Sequence, residues 1–446
     1  MIPFELHTYK HEDGAYQRTL TVRPEKWEDL NFCAPEYSPE AFERLYELYR
    51  DFTVPTYKPV FGTIVMYTLP EGVRVTFPEK TEEYGELFDD YAKVTAAFRS
   101  NISLKKGKLV FRDSATESFF HALEHKGCLK IVKGSRKSLD FMPVGRRLGF
   151  LSEKPECSLK TSASFFTMDL FDLPSVYDRT GEPIGLCVKN GKIINPPLYG
   201  RDCLLVRKDG TVSAEKVSLK DLTVVIGQRK FRHGEGMKFM ERSESAYTPK
   251  KGADIVIIGD RLIAKKIGGR TMIPAGGFVI HCEYDPGALT ETHVIYEGLE
   301  DVMFGIQGGT AAVSAGVSAK TFTSPFYNFK QFWKPSYPPV FYPLNFAKDR
   351  APRIMIGEDS NHKPMMIWLE GAGKFGHNDA KESAGSSLAE ANRIAQILGM
   401  VNGIHLDGGG SAEIILDGKR HLKVSDRDPE SYEEKERAIP LGLWIQ

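Results

Sequence analysis

The sequence predicts an α+β protein built on a large, mainly antiparallel sheet system with flanking helices. Three observations carry that prediction. From Thr161 onward, short apolar runs alternate with Gly, Asp and Asn turns. Two-residue turn signals, Asn190-Gly191 and Asp417-Gly418, sit between β-like runs. One well-patterned helix, opening at Ser386-Ser387 and ending at Leu398-Gly399, interrupts this rhythm near the C-terminus. The first 160 residues read as a smaller α+β region, so two domains are expected, 1–160 and 161–446.

The 446 residues are 41% apolar and 26% charged, and Lys plus Arg equals Asp plus Glu at 59 each. That balance supplies a sizeable core and lacks the basic excess of a non-specific nucleic-acid binder. No apolar run approaches the roughly 18 residues that span a bilayer. Met1 to His7 has no basic stretch leading into an apolar one. The six cysteines are scattered without a CxxC pair, which indicates neither a zinc knuckle nor a disulfide scaffold. A cytoplasmic, reduced protein is expected, with a secreted mature form as the alternative.

In chain order, Ser38-Pro39-Glu40 reads as an N-cap with proline at the first helical position, opening a helix to Arg50. Val60 to Tyr67 and Val73 to Phe77 flank a turn at Leu69-Pro70-Glu71-Gly72, and an acidic helical stretch, Thr81 to Phe98, follows. His121 to His125 spells HxxEH, which sets two histidines on one helix face as zinc ligands with Glu124 as base. An ordinary amphipathic helix ending at Gly127 accounts for the same residues. Residues 133–160 are basic and irregular, as in a solvated linker.

Hairpins are then expected around Asn190-Gly191, around Lys208 to Thr211 and around Gly259-Asp260. A Gly- and Ala-rich passage runs from Phe304 through Gln307, Gly308 and Gly309 to Gly316, and no GxxxxGK[ST] phosphate loop exists. Phe322 to Phe346 concentrates aromatics and prolines, suited to covering a core, a pocket or a sugar. Arg353 opens a strand pair that turns at Asp359-Ser360-Asn361.

The remaining helix leads into the most unusual stretch. Val401 to Leu406 runs into Asp407-Gly408-Gly409-Gly410-Ser411, and a hairpin with a type I′ signature at Asp417-Gly418 follows. Three consecutive glycines are costly in regular structure and suit a tight turn or a ligand approaching the backbone amides. A period of two places His405 and Asp407 on one strand face, beside three bare glycine amides that would bind an anionic oxygen. The carboxylate suits acid/base work or the holding of sugar hydroxyls, while His405 equally fits a satisfied core histidine. Glu390 forms an S-x-x-E capping box with Ser387, a structural role that explains it fully. Arg353 suits a carboxylate partner or a bidentate grip on phosphate.

Ser383-x-Gly385-x-Ser387-Leu388-x-Glu390-Ala391, the helix, Leu398-Gly399 and then LDGGGSA resemble the phosphodiester glycosidase family. Ala351 to Gly357, Ile306 to Gly309, Ile273 to Gly277 and Glu436 to Pro440 extend the resemblance, which spans about residues 161–446. Two positions depart from it: Ser162 and His405 stand where the family has asparagine, which implies altered sugar specificity or lost activity. The resemblance implies hydrolysis of a sugar-1-phosphate diester, such as one of N-acetylglucosamine, at the anomeric carbon. Asp407 would be the principal carboxylate, Glu390 the second carboxylate or a cap, and Arg353 the neutraliser of phosphate. Gly408, Gly409, Gly410 and Ser411 would cradle the phosphate region, with His405, Ser162, Gln307 and Gly308 also at the substrate. No cofactor is expected. The alternatives are a non-catalytic glycan-binding protein and a metal-dependent phosphodiesterase holding a divalent ion at Asp407 and His405.

Overall fold

Apolar runs a few residues long, bounded by turn-forming Gly, Asn and Asp, commit most of this chain to short strands. The computed structural model describes residues 2–33, 156–166, 182–234, 236–245, 247–319, 349–371, 383–426, 433–434, 436–437 and 439–446, with the backbone of four strands at 73–76, 102–105, 108–111 and 137–140. The expected helices at 39–50 and 81–98, the HxxEH segment at 121–125 and the aromatic passage at 322–346 lie outside the described residues, as does most of the basic stretch at 133–160.

The elements that build the site are β1 (Phe4–Lys10), β2 (Tyr16–Val22), β3 (Asn31–Cys33), β4 (Leu159–Ser162), β5 (Cys187–Lys189), β6 (Asp202–Arg207), β7 (Val302–Gln307), β8 (Ala311–Ser314), β9 (Val317–Ser318), β10 (Arg353–Asp359), β11 (Pro364–Leu369), α1 (Leu388–Ile397), β12 (Met400–His405), β13 (Ile414–Leu416) and β14 (Gly442–Ile445). Seven strands form one sheet in the order β1-β2-β11-β10-β12-β8-β9. A second sheet sets β7 between β5 and β6, and a third sets β4 between β13 and β14, with β3 at its edge. Strands of residues 4–33 are thus hydrogen-bonded into the same sheets as strands of residues 353–445.

The pairing is antiparallel throughout these sheets. Among the described residues, the parallel pair is Val73–Thr76 with Lys137–Asp140. Asn190 and Gly191, and likewise Asp417 and Gly418, adopt positive φ, as the type I′ signals predict. The loop at Lys208 to Thr211 differs, since only Gly210 there has positive φ.

Sheets pack on sheets. Leu20, Leu159, Leu204, Phe304, Ile354, Trp368, Ile404 and Leu443 share one core between the three sheets. Trp368 is fully buried, and its indole N–H donates to Thr161 Oγ1 at 2.7 Å, which removes the cost of hiding that polar atom. The opposite face of the seven-stranded sheet is covered by α1 through Ala391, Ile394 and Ala395 against Met355, Ile367 and Met400. The expected flanking helices therefore reduce to α1 among the described residues, because the sheets bury most of one another's apolar faces. No described helix is long and apolar enough to cross a membrane.

Candidate active site at the seam of three sheets

Three chain segments that pass from one sheet to another meet at one place. Asp407 to Ser411 leads from β12 to β13, Gln307 to Thr310 leads from β7 to β8, and Ala163 to Phe165 leaves the end of β4. Backbone hydrogen bonds lock them together. The Asp407 N–H donates to the Ala163 carbonyl (3.2 Å), the Gly309 N–H to the His405 carbonyl (2.8 Å), and the His405 N–H to the Thr310 carbonyl (2.9 Å). A segment leaving a sheet exposes backbone groups that need partners, and each of these crossings supplies them to the next.

Asp407 is half-buried, with protein atoms packed densely around its carboxyl. Burial pushes its carboxyl up, and the charges of Arg437 and Arg201 with hydrogen bonds from Ser411 and the Gly408 N–H pull it back, to about 6. Arg437 reaches Asp426 (2.7 Å) and donates from Nη1 to Ser411 Oγ (3.2 Å). Arg201 is fully buried, sits 4.9 Å from the centre of the Phe165 ring, and donates to the Ile184 carbonyl at 2.7 Å.

The glycines of the loop do not present three bare amides. The Gly409 N–H donates to the Pro352 carbonyl (3.0 Å), and the Ser411 N–H donates to the Gly408 carbonyl (3.2 Å), closing a single 3₁₀ turn at Gly409–Ser411. What needs glycine is close approach by the protein itself. A Cβ at Gly408 would stand 2.7 Å from the Pro352 carbonyl oxygen, and one at Gly410 would collide with Arg437 and Asp426. Gly409 has open space around it and is required instead by its φ of +60°.

His405 does not join the Asp407 cluster directly. Its Nε2 meets Asn392 Oδ1 of α1 at 2.6 Å, and burial, then the charge of Arg353, push its ring down to about 3, so it is neutral. Arg353 donates from Nε to the Ser386 carbonyl and from Nη2 to the Asp349 carbonyl, both at 2.9 Å, bracing the chain ahead of α1. Glu390 completes the capping box: its carboxylate accepts from the Ser387 N–H (2.9 Å), and the Ser387 hydroxyl accepts from the Glu390 N–H (3.3 Å). It also binds Arg350 Nε at 3.1 Å and lies 3.3 Å from His11. Burial raises the Glu390 carboxyl, but Arg350, Ser387 and His11 together outweigh it and hold it down at about 2. It is thus an ionised cap, and a poor proton donor.

Gln307 is fully buried and acts as a brace. Its Oε1 accepts from the Leu186 and Leu198 N–H groups (3.0 and 3.1 Å), and its Nε2 donates to the Arg201 carbonyl (3.2 Å). Gly308 lets the His405 carbonyl pass, which a Cβ would block. Ser162 ends β4 with its Oγ buried and without a hydrogen-bond partner among the described residues. Sequence patterns give no role to Arg201, Arg437, Asn392 or Glu413. The last is buried beside Arg420, and burial with Glu436 raises it to about 7. Of these, Asn392 and Arg437 lie in blocks that carry the resemblance, the helix and Glu436 to Pro440. Among the described residues no group of three or more His, Cys, Asp or Glu side chains is arranged to hold a metal ion.

The aspartate-glycine loop at the end of β12, with the helix and hairpin on either side of it, falls within a stretch that known proteins share. Residues 279–446 match the family model of the phosphodiester glycosidases. The matched stretch holds Asp407, Arg437, Arg353, α1 and the glycine loop, while Ser162, Phe165 and Arg201 lie upstream of it. No curated protein matches the chain by sequence. Similar solved structures include a hypothetical protein from Synechocystis, with 13% identity and a TM-score of 0.42 over 99% of this chain. The chain spans 61% of the length of that protein. Another is the catalytic domain of zebrafish N-acetylglucosamine-1-phosphodiester alpha-N-acetylglucosaminidase, auto-inhibited by its pro-peptide, with 11% identity and a TM-score of 0.39 over 100% of this chain and 83% of that one.

Proposed function

We propose that the chain hydrolyses a sugar-1-phosphate diester at the anomeric C–O bond, releasing the sugar and leaving a phosphomonoester. The observation that carries this reading is the setting of Asp407: a carboxyl raised to about 6, flanked by Ser411 and by the charges of Arg437 and Arg201. Such hydrolysis builds positive charge on the sugar ring and moves negative charge onto the departing phosphate. An ionised carboxylate stabilises the first and guanidinium groups the second. Water supplies oxygen to the anomeric carbon and releases its proton. The bonding pair of the broken C–O bond leaves with the phosphate.

The leaving group is already a stable anion, so departure needs no proton from a second carboxylic acid. That is compatible with Glu390 serving as a cap. The route draws on no cofactor or metal. N-acetylglucosaminyl diesters are the first substrates to try. Hydrolysis in oxygen-18 water tests the bond cleaved: label is expected in the released sugar. Label in the phosphate product would overturn the reading and select phosphodiesterase chemistry instead.

A further inference from the structure

His405 is held in one tautomer by a residue that no sequence pattern singles out. Asn392 is fully buried in α1, and its Nδ2 donates to the Ala319 carbonyl at 3.3 Å. That contact orients the carboxamide, since the flipped arrangement would set two acceptors against each other. Oδ1 then faces His405 Nε2 at 2.6 Å, and an acceptor there requires the ring proton on Nε2. The ring is neutral, so Nδ1 carries a lone pair and no proton. Nδ1 is buried and has no hydrogen-bond partner among the described residues. A buried polar atom left unsatisfied in this way calls for an explanation such as an occupant that completes it.

We propose that Asn392 is a positioning residue that fixes His405 as a neutral hydrogen-bond acceptor at Nδ1, and that this atom reads a hydroxyl or amide N–H of the sugar. The inference rests on the glycosyl phosphodiester reading of the same site. An acceptor that cannot donate accepts from O–H or N–H and is repelled by phosphate oxygens. The sugar therefore lies on the His405 side and the phosphate toward Arg437. An asparagine at position 405 could present either a donor or an acceptor. The locked imidazole presents an acceptor alone, and so narrows the sugars admitted to those with a donor at one ring position.

The test has two arms. In the full chain labelled with nitrogen-15 at histidine, His405 is identified by the signal lost in His405→Asn, and its tautomer is read without substrate. The expected result is a proton on Nε2 and none on Nδ1 from pH 5 to 8, weakened in Asn392→Leu and kept at pH 8 in Asn392→Asp, whose carboxylate still accepts but favours the doubly protonated ring at lower pH. A proton on Nδ1 overturns the positioning role. The second arm measures kcat/KM for methyl glycosyl phosphodiesters in which each ring hydroxyl is replaced in turn by hydrogen or fluorine, and the 2-acetamido N–H by an ester oxygen.

Measured against His405→Ala, so that each replacement's own effect on the positively charged ring cancels, wild type should lose about tenfold more at one position, the worth of one hydrogen bond. Asn392→Leu should show no such extra loss there, and Asn392→Asp should retain it. Turnover with the same profile in wild type and His405→Ala overturns this inference alone. No turnover of any member sinks the glycosidase reading, and the sugar-reading role of Nδ1 with it, while the tautomer arm still decides the lock.

Discussion

Ser411 stands between Asp407 and Arg437: its hydroxyl oxygen accepts from Arg437 Nη1 at 3.2 Å, and its side chain helps lower the Asp407 carboxyl. The charge beside Asp407 is therefore held in place by the same loop that carries Asp407. Arg437→Met removes that charge, so the Asp407 carboxyl should rise above about 6. The acid limb of kcat/KM should move to higher pH, and KM for a glycosyl phosphodiester should rise by about ten- to a hundredfold, the range for a hydrogen bond to a charged group. A pH–rate profile on both proteins checks the two effects at once.

Asp407→Asn should lower kcat by at least about two orders of magnitude, in line with losing a group aimed at transition-state charge, with the fold kept. Its stability effect has a predictable sign. The folded carboxyl titrates near 6 against an ordinary 3.8, so wild type gains from Asp407 only while it is protonated and loses that gain as pH rises from about 4 through 6. The loss is at most about 3 kcal/mol, the free-energy equivalent of titrating about two pH units higher. Thermal melts at pH 4.5 and 7.5 should show the variant gaining on wild type at the higher pH. An equal gap at both would place the carboxyl's pKa near its ordinary value.

Glu390→Ala should cost about 1 kcal/mol of stability through the lost cap and leave kcat within a few-fold. Because the carboxyl is held at about 2, its contribution is present above the ordinary 4.5 and lost as pH falls toward 2. The melting difference between variant and wild type should therefore shrink below about pH 4. A large fall in kcat with unchanged stability would return Glu390 to the chemistry.

The three glycines should respond unequally to alanine. At Gly409 the space is open and only the positive φ resists, a cost of about 1 kcal/mol. At Gly410 the new methyl would displace Arg437 and Asp426, so Gly410→Ala should lose both stability and the Asp407 pH limb. Denaturant midpoints for the two variants, with a pH–rate profile for each, separate strain from displacement.

Much of the local structure is legible in the sequence because its causes are local. Asn190-Gly191 and Asp417-Gly418 require positive φ at both turn positions, and both turns form. Ser387 and Glu390 stand three apart, and the capping box closes between neighbours on one turn of helix. The alternation around His405 is also readable: Ile404 and Leu406 enter the shared core, while His405 turns toward α1.

Other features depend on residues that meet only after folding. Arg201 lies more than 200 residues from Asp407 in sequence, and no spacing rule links them. The scarcity of helices among the described residues is likewise hidden, since whether a sheet face meets a helix or another sheet is settled by packing. The Gly409 amide, expected to be bare, is not, and the reason is again tertiary: Pro352, which takes the Gly409 N–H, is brought there by another strand's approach.

The sequence by itself determined the strands, their turns, the capped helix and the place of an aspartate before three glycines, since backbone propensity and side-chain alternation act over a few residues. Tertiary structure alone decided that this aspartate is flanked by Arg437 and Arg201, that Arg350 and His11 hold the capping Glu390 ionised, and that His405 is neutral beside Asn392. Those outcomes are set by burial and by charges brought from distant parts of the chain, and neither exists until the three sheets have closed around the loop.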